Sequence, residues 1–357
     1  MLDINGLLSR MAELNAADLF LKPPCPPTYK VSGQTVPLEG HPAVSAEEME
    51  ALLPHVLRPR DQKIFQERNQ ADLSYVLPDG SRFRCNAYRQ RGTAAMVFRR
   101  INPTVPTADE LNLPEILKEI SMHQNGLILV TGATGSGKST TLAAMIDWRN
   151  RNSRGHIVTL EDPIEFIHPD LGCVVSQREV GVDVDSFEDG LKAALRQAPN
   201  VILMGEIRDA EGCEAALHLC ETGHLVFGTL HSTNAMQSIE RVLQMFPPER
   251  SQEMFALLSG NLRGIVSQRL IRNLQGRYSM VCEILTATPR VRELIKRGEY
   301  QSLKPVMEAG GKDGMQTFDQ SIYNTYQAGA FDEEIALRYA DSPNDLKLRM
   351  RGFVSAS

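Results

Sequence analysis

Residues Gly132-Ala133-Thr134-Gly135-Ser136-Gly137-Lys138-Ser139 set glycines, a lysine and a hydroxyl at the spacing G-x-x-x-x-G-K-[ST], directly after the apolar run Leu127-Ile128-Leu129-Val130. That combination is suited to holding a polyphosphate. Glycines let the backbone wrap an anion closely, so that amide N–H groups and the start of a following helix face the phosphates. Lys138 then reaches the β- and γ-phosphates, Ser139 holds Mg²⁺, and Thr140 completes the binding segment 132–140. ATP with Mg²⁺ is the expected ligand pair.

Hydrolysis also needs an acid near the attacking water. The strand expected over Val201-Ile202-Leu203-Met204 ends at Gly205-Glu206, and Glu206 is positioned to polarise that water. Asn200 opens the same segment, so Glu206 is the only acid at its carboxyl end. Glu161, Asp162 and Glu165 follow another expected strand. Such crowded like charges are costly unless a cation or hydrogen-bond donors compensate them, which suits a Mg²⁺-water site with Asp162 as a candidate metal ligand, directly or through water, or else a solvated loop. Histidines flank the apolar run Leu225–Leu230. His231 falls at the carboxyl end of that strand, the edge where open α/β sheets bind ligands, and is the candidate γ-phosphate sensor, with His224 as a second candidate. Between 81 and 100 stand Arg82, Arg84, Arg89, Arg91, Arg99 and Arg100 without one acid. That basic hairpin suits a nucleic-acid patch, a solvated face or a source of arginine fingers.

These groups need a framework that brings distant segments together. Alternating strand and helix patterns at 127–131, 139–149, 156–160, 187–196, 201–204, 210–222 and 225–229 predict a parallel, two-sided α/β sheet. Before it, an amphipathic helix over 3–15, strands at 18–22 and 28–31, a helix after Ser45 with a capping box to Glu48, and strands at 71–77, 82–88 and 93–99 predict a smaller α+β domain over 1–100. Ile101-Asn102-Pro103-Thr104-Val105-Pro106-Thr107 reads as the linker. The second domain is expected over 108–357, as a core to about 235 and a helical part from 236, with helices at 252–270, 290–297, 317–328 and 332–340. Residues 339–357 carry few apolar anchors, so the end of the chain is expected to become ordered only against a partner.

The 357 residues suffice for about two domains with their own cores. A net charge of −6 argues against a chain whose main task is gripping nucleic acid phosphate. The six scattered cysteines form no C-x-x-C pair, so neither a disulfide framework nor a zinc site is indicated. The N-terminus lacks a signal-peptide pattern and no apolar run is long enough for a transmembrane segment, which predicts a cytoplasmic protein with at most peripheral membrane association.

Taken as a set, GATGSGKST at 132–140, LEDPIEF at 160–166, ILMGEIRD at 202–209 and ETGHLVFGTLHST at 221–233 resemble the motifs of type IV pilus retraction ATPases of the PilT group, within the GspE-like secretion ATPase superfamily. The likeness covers nearly the whole chain. CVVSQREVGVDVDSF, LRQAPNVI, GMQTFDQ and YADSPNDLKLR resemble the PilU branch, while the PilT segment AIRNLIRE is altered here to Arg290–Arg297. The resemblance implies a RecA-like P-loop core, preceded by a small PAS-like α+β domain and followed by a helical extension. It further implies a homohexameric motor at the inner face of the inner membrane. Its partners would be a PilT-like ATPase and a PilC-like platform protein. Residue by residue, it makes Glu206 the general base, has Glu161, Asp162 and Glu165 organise metal and water, and makes His231 the sensor. Arg84 and Arg99, fifteen apart, match its arginine fingers. A regulatory ring with little intrinsic turnover and a nucleic-acid translocase are the competing expectations.

Overall fold

The computed structural model describes residues 2–101 and 104–353. Asn102 and Pro103 of the expected linker, and the last four residues of the tail, lie outside the described residues. The chain divides into two compact units. One comprises Met1–Thr104 with Pro163–Ile167 and Glu179–Asp185; the other comprises Val105–Asp162, His168–Arg178 and Ser186–Ser357.

The first unit is built on six antiparallel strands: β1 (Asp18–Leu21), β2 (Thr28–Val31), β3 (Gln34–Pro37), β4 (Gln70–Val76), β5 (Arg82–Gln90) and β6 (Thr93–Arg100), in the order β3-β2-β1-β6-β5-β4. Alternation along β5 sends Phe83, Cys85 and Ala87 inward, onto Leu8 and Met11 of helix Ile4–Glu13 and Met49 and Leu52 of helix Ala46–Val56. The capping box at Ser45 forms as expected, with Ser45 Oγ accepting from Glu48 N–H and the Glu48 carboxylate accepting from Ser45 N–H. Helix Pro59–Arg68, absent from the sequence reading, begins at a proline in its first turn. The two short segments from the middle of the chain belong to this unit through Glu179, which is buried and accepts from Ser74 Oγ at 2.5 Å and from Ile164 N–H at 3.3 Å.

The second unit holds seven strands: β7 (Gly126–Thr131), β8 (Gly155–Glu161), β9 (Cys173–Glu179), β10 (Val201–Met204), β11 (Leu225–Leu230), β12 (Leu262–Arg272) and β13 (Tyr278–Thr286), in the order β13-β12-β7-β11-β10-β8-β9. β12, β7, β11, β10 and β8 run parallel, and β13 closes the edge antiparallel to β12. β7 is buried along its whole length because both faces are covered. Leu127 and Leu129 join the core under helices Ala210–Glu221 and Ala235–Gln244, while Ile128 and Val130 join the core under helices Glu115–Ser121 and Lys138–Asn152.

Two expectations for the second half of the chain are corrected. The helix expected through Leu270 stops at Asn261, and Leu262–Arg272 is a sheet strand beside β7, so the core does not end near 235. Apolar residues at 258, 262, 265 and 266 suit either period, but Ile265 fills one core and Val266 the opposite one, which only an extended chain allows. The helical extension begins after β13.

The tail also differs from its expectation. Helix Pro343–Met350 seats Leu346, 2% exposed, in a core of Ile271, Val281, Phe318, Ile322 and Phe331, and Arg349 lies over the Tyr323 ring. One well-placed leucine supplies the anchor that the composition of the tail underestimates. Leu346→Ala is expected to cost about 3 kcal/mol of stability, read as a lowered urea midpoint at unchanged slope. An unchanged midpoint would mean that the tail does not contribute to the folded unit.

Candidate active site

In a parallel sheet, register decides which chain ends meet. Thr131 pairs with Leu230, Gly228 with Met204, and Met204 with Leu160. The residues that follow therefore emerge in order along one edge: Gly132 of the phosphate-loop motif, His231, Gly205-Glu206, and Glu161-Asp162. Glycine assists at Gly205, where a Cβ would come within 3.2 Å of the Leu160 carbonyl, and the Gly205 N–H donates to that carbonyl at 2.9 Å. Thr229 Oγ1 donates to the Gly205 carbonyl at 2.5 Å, so the turn carrying Glu206 is fastened to both neighbouring strands.

The loop 132–139 folds as the motif implies, ending at the start of helix Lys138–Asn152 with Gly137 left-handed at the N-cap. Gly132 has φ +147°, and a Cβ there would fall 2.5 Å from Ser136 Oγ and 2.6 Å from the Gln268 carbonyl. Ala133, Thr134 and Gly135 form an exposed crown, while Ser139 and Thr140 are half-buried. Lys138 is buried, its Nζ donating to the carbonyls of Gly132 at 2.8 Å and Ala133 at 3.0 Å. Gln268 of β12 donates to the Ser136 carbonyl at 2.7 Å and braces the loop from beneath, a role that the reading of 252–270 as helix concealed.

Glu206 and His231 come together as expected: His231 Nε2 lies 3.2 Å from Glu206 Oε1. The second Glu206 oxygen accepts from Arg208 Nε at 2.7 Å, and Arg208 also lies 3.6 Å from Asp162. The motif reading assigns no part to Arg208 of the ILMGEIRD stretch, and its position two residues past Glu206, on the same sheet edge, is the signal it offers. It compensates both carboxylates and aims one of them.

The three acids of 161–165 do not form one cluster. Glu161 accepts from Thr159 Oγ1 at 2.6 Å and Gln177 Nε2 at 3.1 Å, Asp162 pairs with Arg208, and Glu165 belongs to the first unit, where its charge acts on Arg99. Among the described residues, no three His, Cys, Asp or Glu side chains converge as a metal cage. A Mg²⁺ that takes most of its ligands from phosphates and water fits a site offering one hydroxyl, Ser139, and one exposed acid, Asp162. His224 is set apart, at the amino end of β11, with Nδ1 within 3.0 Å of the Leu219 carbonyl and 3.1 Å of Thr222 Oγ1. It has the surroundings of a structural histidine.

In the first unit, Arg84 and Arg99 sit directly opposite each other on β5 and β6. Facing like charges are destabilising unless offset, and the buried Asp18 accepts from Arg99 Nε at 2.7 Å with Lys30 at 3.7 Å. Arg89 is engaged structurally, paired with Glu50 and lying over the Phe65 ring.

The loop geometry predicts unequal costs for two glycines. Both positions have a positive φ that strains alanine, but Gly132→Ala also meets backbone and side-chain atoms, whereas Gly135→Ala, at φ +79°, has open space. We expect Gly132→Ala to weaken binding of a fluorescent ADP analogue at least about tenfold more than Gly135→Ala, in line with strain of about 1–3 kcal/mol. Equal affinities would show that the cradle is not formed at Gly132.

The type II/IV secretion system protein family matches residues 98–324. The chain is 44% identical to the type IV pilus ATPase PilU of Pseudomonas aeruginosa over 98% of its own length and 92% of that protein. To the type IV pilus retraction ATPase PilT of the same organism it is 40% identical, covering 96% of this chain and all of the other. A solved structure of the pilus retraction motor PilT with bound ADP superposes with a TM-score of 0.91 at 37% identity, covering 97% of this chain and 99% of that one. With its phosphate loop and acidic sheet edge, the chain belongs to the type II/IV secretion system protein family and is an ATPase of its PilT/PilU group.

Proposed function

We propose that this ATPase works as a homohexameric motor of type IV pilus retraction and twitching motility, and that it acts as a PilU-like accessory to a PilT-like motor. It acts at the inner face of the inner membrane, through a PilC-like platform protein. Among the described residues, no helix is long and apolar enough to cross a membrane. The single observation that carries the reading is the row of phosphate loop, His231, Glu206 and Asp162 along one sheet edge, in a chain related to PilU over nearly its whole length.

The residues take the following parts. Lys138 would turn from the carbonyls of its own loop to the phosphates of ATP, and Ser139 with Asp162 would hold Mg²⁺, which would supply neutralisation of phosphate charge. Glu206 accepts the proton of the attacking water. His231 senses the γ-phosphate, and Arg208 holds Glu206 aimed. Glu161 and Glu165 order the surrounding water. Arg84 and Arg99 reach the nucleotide of a neighbouring subunit, with Asp18 fixing the second of them.

Lys138→Ala is expected to abolish turnover, and Glu206→Gln to bind ATP normally while hydrolysing it about 10²–10⁴-fold more slowly. Phosphate release and a fluorescent-nucleotide titration separate the two effects; surviving turnover in Glu206→Gln would remove it as the base. Arg84→Ala or Arg99→Ala should slow hydrolysis by about 10³-fold, and only in preparations that light scattering shows to be rings. Turnover unchanged in both would return the hairpin to a solvated face. Deleting the gene should impair twitching, and adding a PilT-like ATPase should change the rate of the purified protein. Normal twitching and an unaltered rate together would refute the accessory role.

A further inference from the structure

Beneath the nucleotide edge lies a buried polar layer that the motifs do not include. Thr131, Ser267 and Glu283 stand side by side across β7, β12 and β13, all buried. Thr131 Oγ1 donates to Ser267 Oγ at 2.8 Å. Ser238, fully buried in the first turn of helix Ala235–Gln244, lies 2.7 Å from the Asn234 carbonyl, 2.7 Å from Ser232 Oγ and 3.4 Å from Thr131 Oγ1. A hydroxyl carries one proton. Ser238 therefore donates to Asn234 and accepts from Ser232, which ties the residue after His231 to the helix.

The start of that helix is held from the opposite direction. Glu283 Oε1 accepts the N–H of Ala235 at 2.7 Å, one of the amides that a helix leaves without an internal partner, at the end that favours negative charge. The segment Leu230–Ala235 is thus clamped at both ends: Leu230 is in register with Thr131, at the foot of the phosphate loop, and Ala235 is bonded to Glu283. His231 lies within this segment.

We propose that Glu283 is a positioning residue for hydrolysis: by anchoring the start of helix Ala235–Gln244, it keeps Ser232 on Ser238 and so keeps His231 on Glu206. The inference rests on the assignment of Glu206 and His231 as the hydrolytic pair. Burial pushes the Glu283 carboxyl up to about 7 against the opposing pull of the Ala235 N–H; Asp341 raises it further, while Arg269 and Lys304 lower it. Below that pH the carboxyl protonates and becomes a weaker acceptor. The clamp then loosens, so turnover rises with pH through this range.

The test uses the full-length protein, with kcat and KM for ATP measured from pH 6 to 8.5, melting curves to verify folding, and Glu206→Gln alongside. Glu283→Ala should lower kcat about tenfold, the scale of one hydrogen bond to a charged group, with KM for ATP unchanged. Glu283→Gln keeps an oxygen for Ala235 but does not ionise; at every pH it should show a rate between those of Glu283→Ala and the wild type at pH 8, and it should lose the part of the pH dependence centred near 7. A folded Glu283→Ala protein with wild-type kcat, a parallel rise in KM, or a pH profile unchanged in Glu283→Gln would each overturn the proposal. If Glu206→Gln abolishes turnover in the same series, that failure belongs to Glu283 alone; if Glu206→Gln is active, the underlying pair is wrong.

Discussion

The site depends on parallel register. Backbone hydrogen bonds between β8, β10, β11 and β7 fix which residues are level with one another, and the strands end so that Gly132, His231, Glu206 and Asp162 leave the sheet on the same edge. A slip of one residue in any pair would turn the side chains of that strand to the other face. Close packing of β7, β10 and β11 against a core on each face opposes this, since a slipped strand would bring side chains of the wrong size and shape into both cores.

The same edge concentrates charge, and the fold offsets it in pairs. Arg208 stands between Glu206 and Asp162, while Thr159 and Gln177 donate to Glu161. In the first unit, the facing arginines 84 and 99 are tolerated because Asp18, itself buried, receives one of them. Arg208 and Thr159 stand two residues from Glu206 and Glu161, whereas Arg208 reaches Asp162 and Arg99 reaches Asp18 from distant segments, and each contact holds a side chain in one direction. Uncompensated, the like charges would raise one another's energy and the side chains would spread into solvent. Preorganised charge is what phosphoryl transfer asks of a protein, because positioning and electrostatics supply most of its rate.

Much was legible in the sequence, since the signals were local. The phosphate loop declares itself through residue types at fixed spacing between a strand and a helix, and the alternation of strands and helices from 126 to 230 dictated a two-sided parallel sheet. Glu206 and His231 could be singled out because each directly follows an apolar strand. The helix starts at Ser45, Ser186, Asp209 and Thr317 follow from side chains that accept a backbone N–H three residues on.

What only the tertiary structure decided were choices between equally good local patterns, and partnerships across long separations. Leu262–Arg272 suits a helix or a strand by periodicity, and the gap beside β7 settles it as a strand because both of its faces can then be buried. That choice brings Gln268 under the phosphate loop and Ser267 against Thr131. The acids of 161–165 look like one cluster in sequence, yet a chain leaving its strand sends successive side chains different ways, and Glu165 ends in a different unit from Glu161. Glu283 carries no signal of its own: its environment is made by the burial of its strand and by Ala235 and Ser267, neither of which is near it in the chain. Sequence therefore fixes what each segment prefers by itself, while burial and register, which depend on the whole sheet, determine which side chains meet.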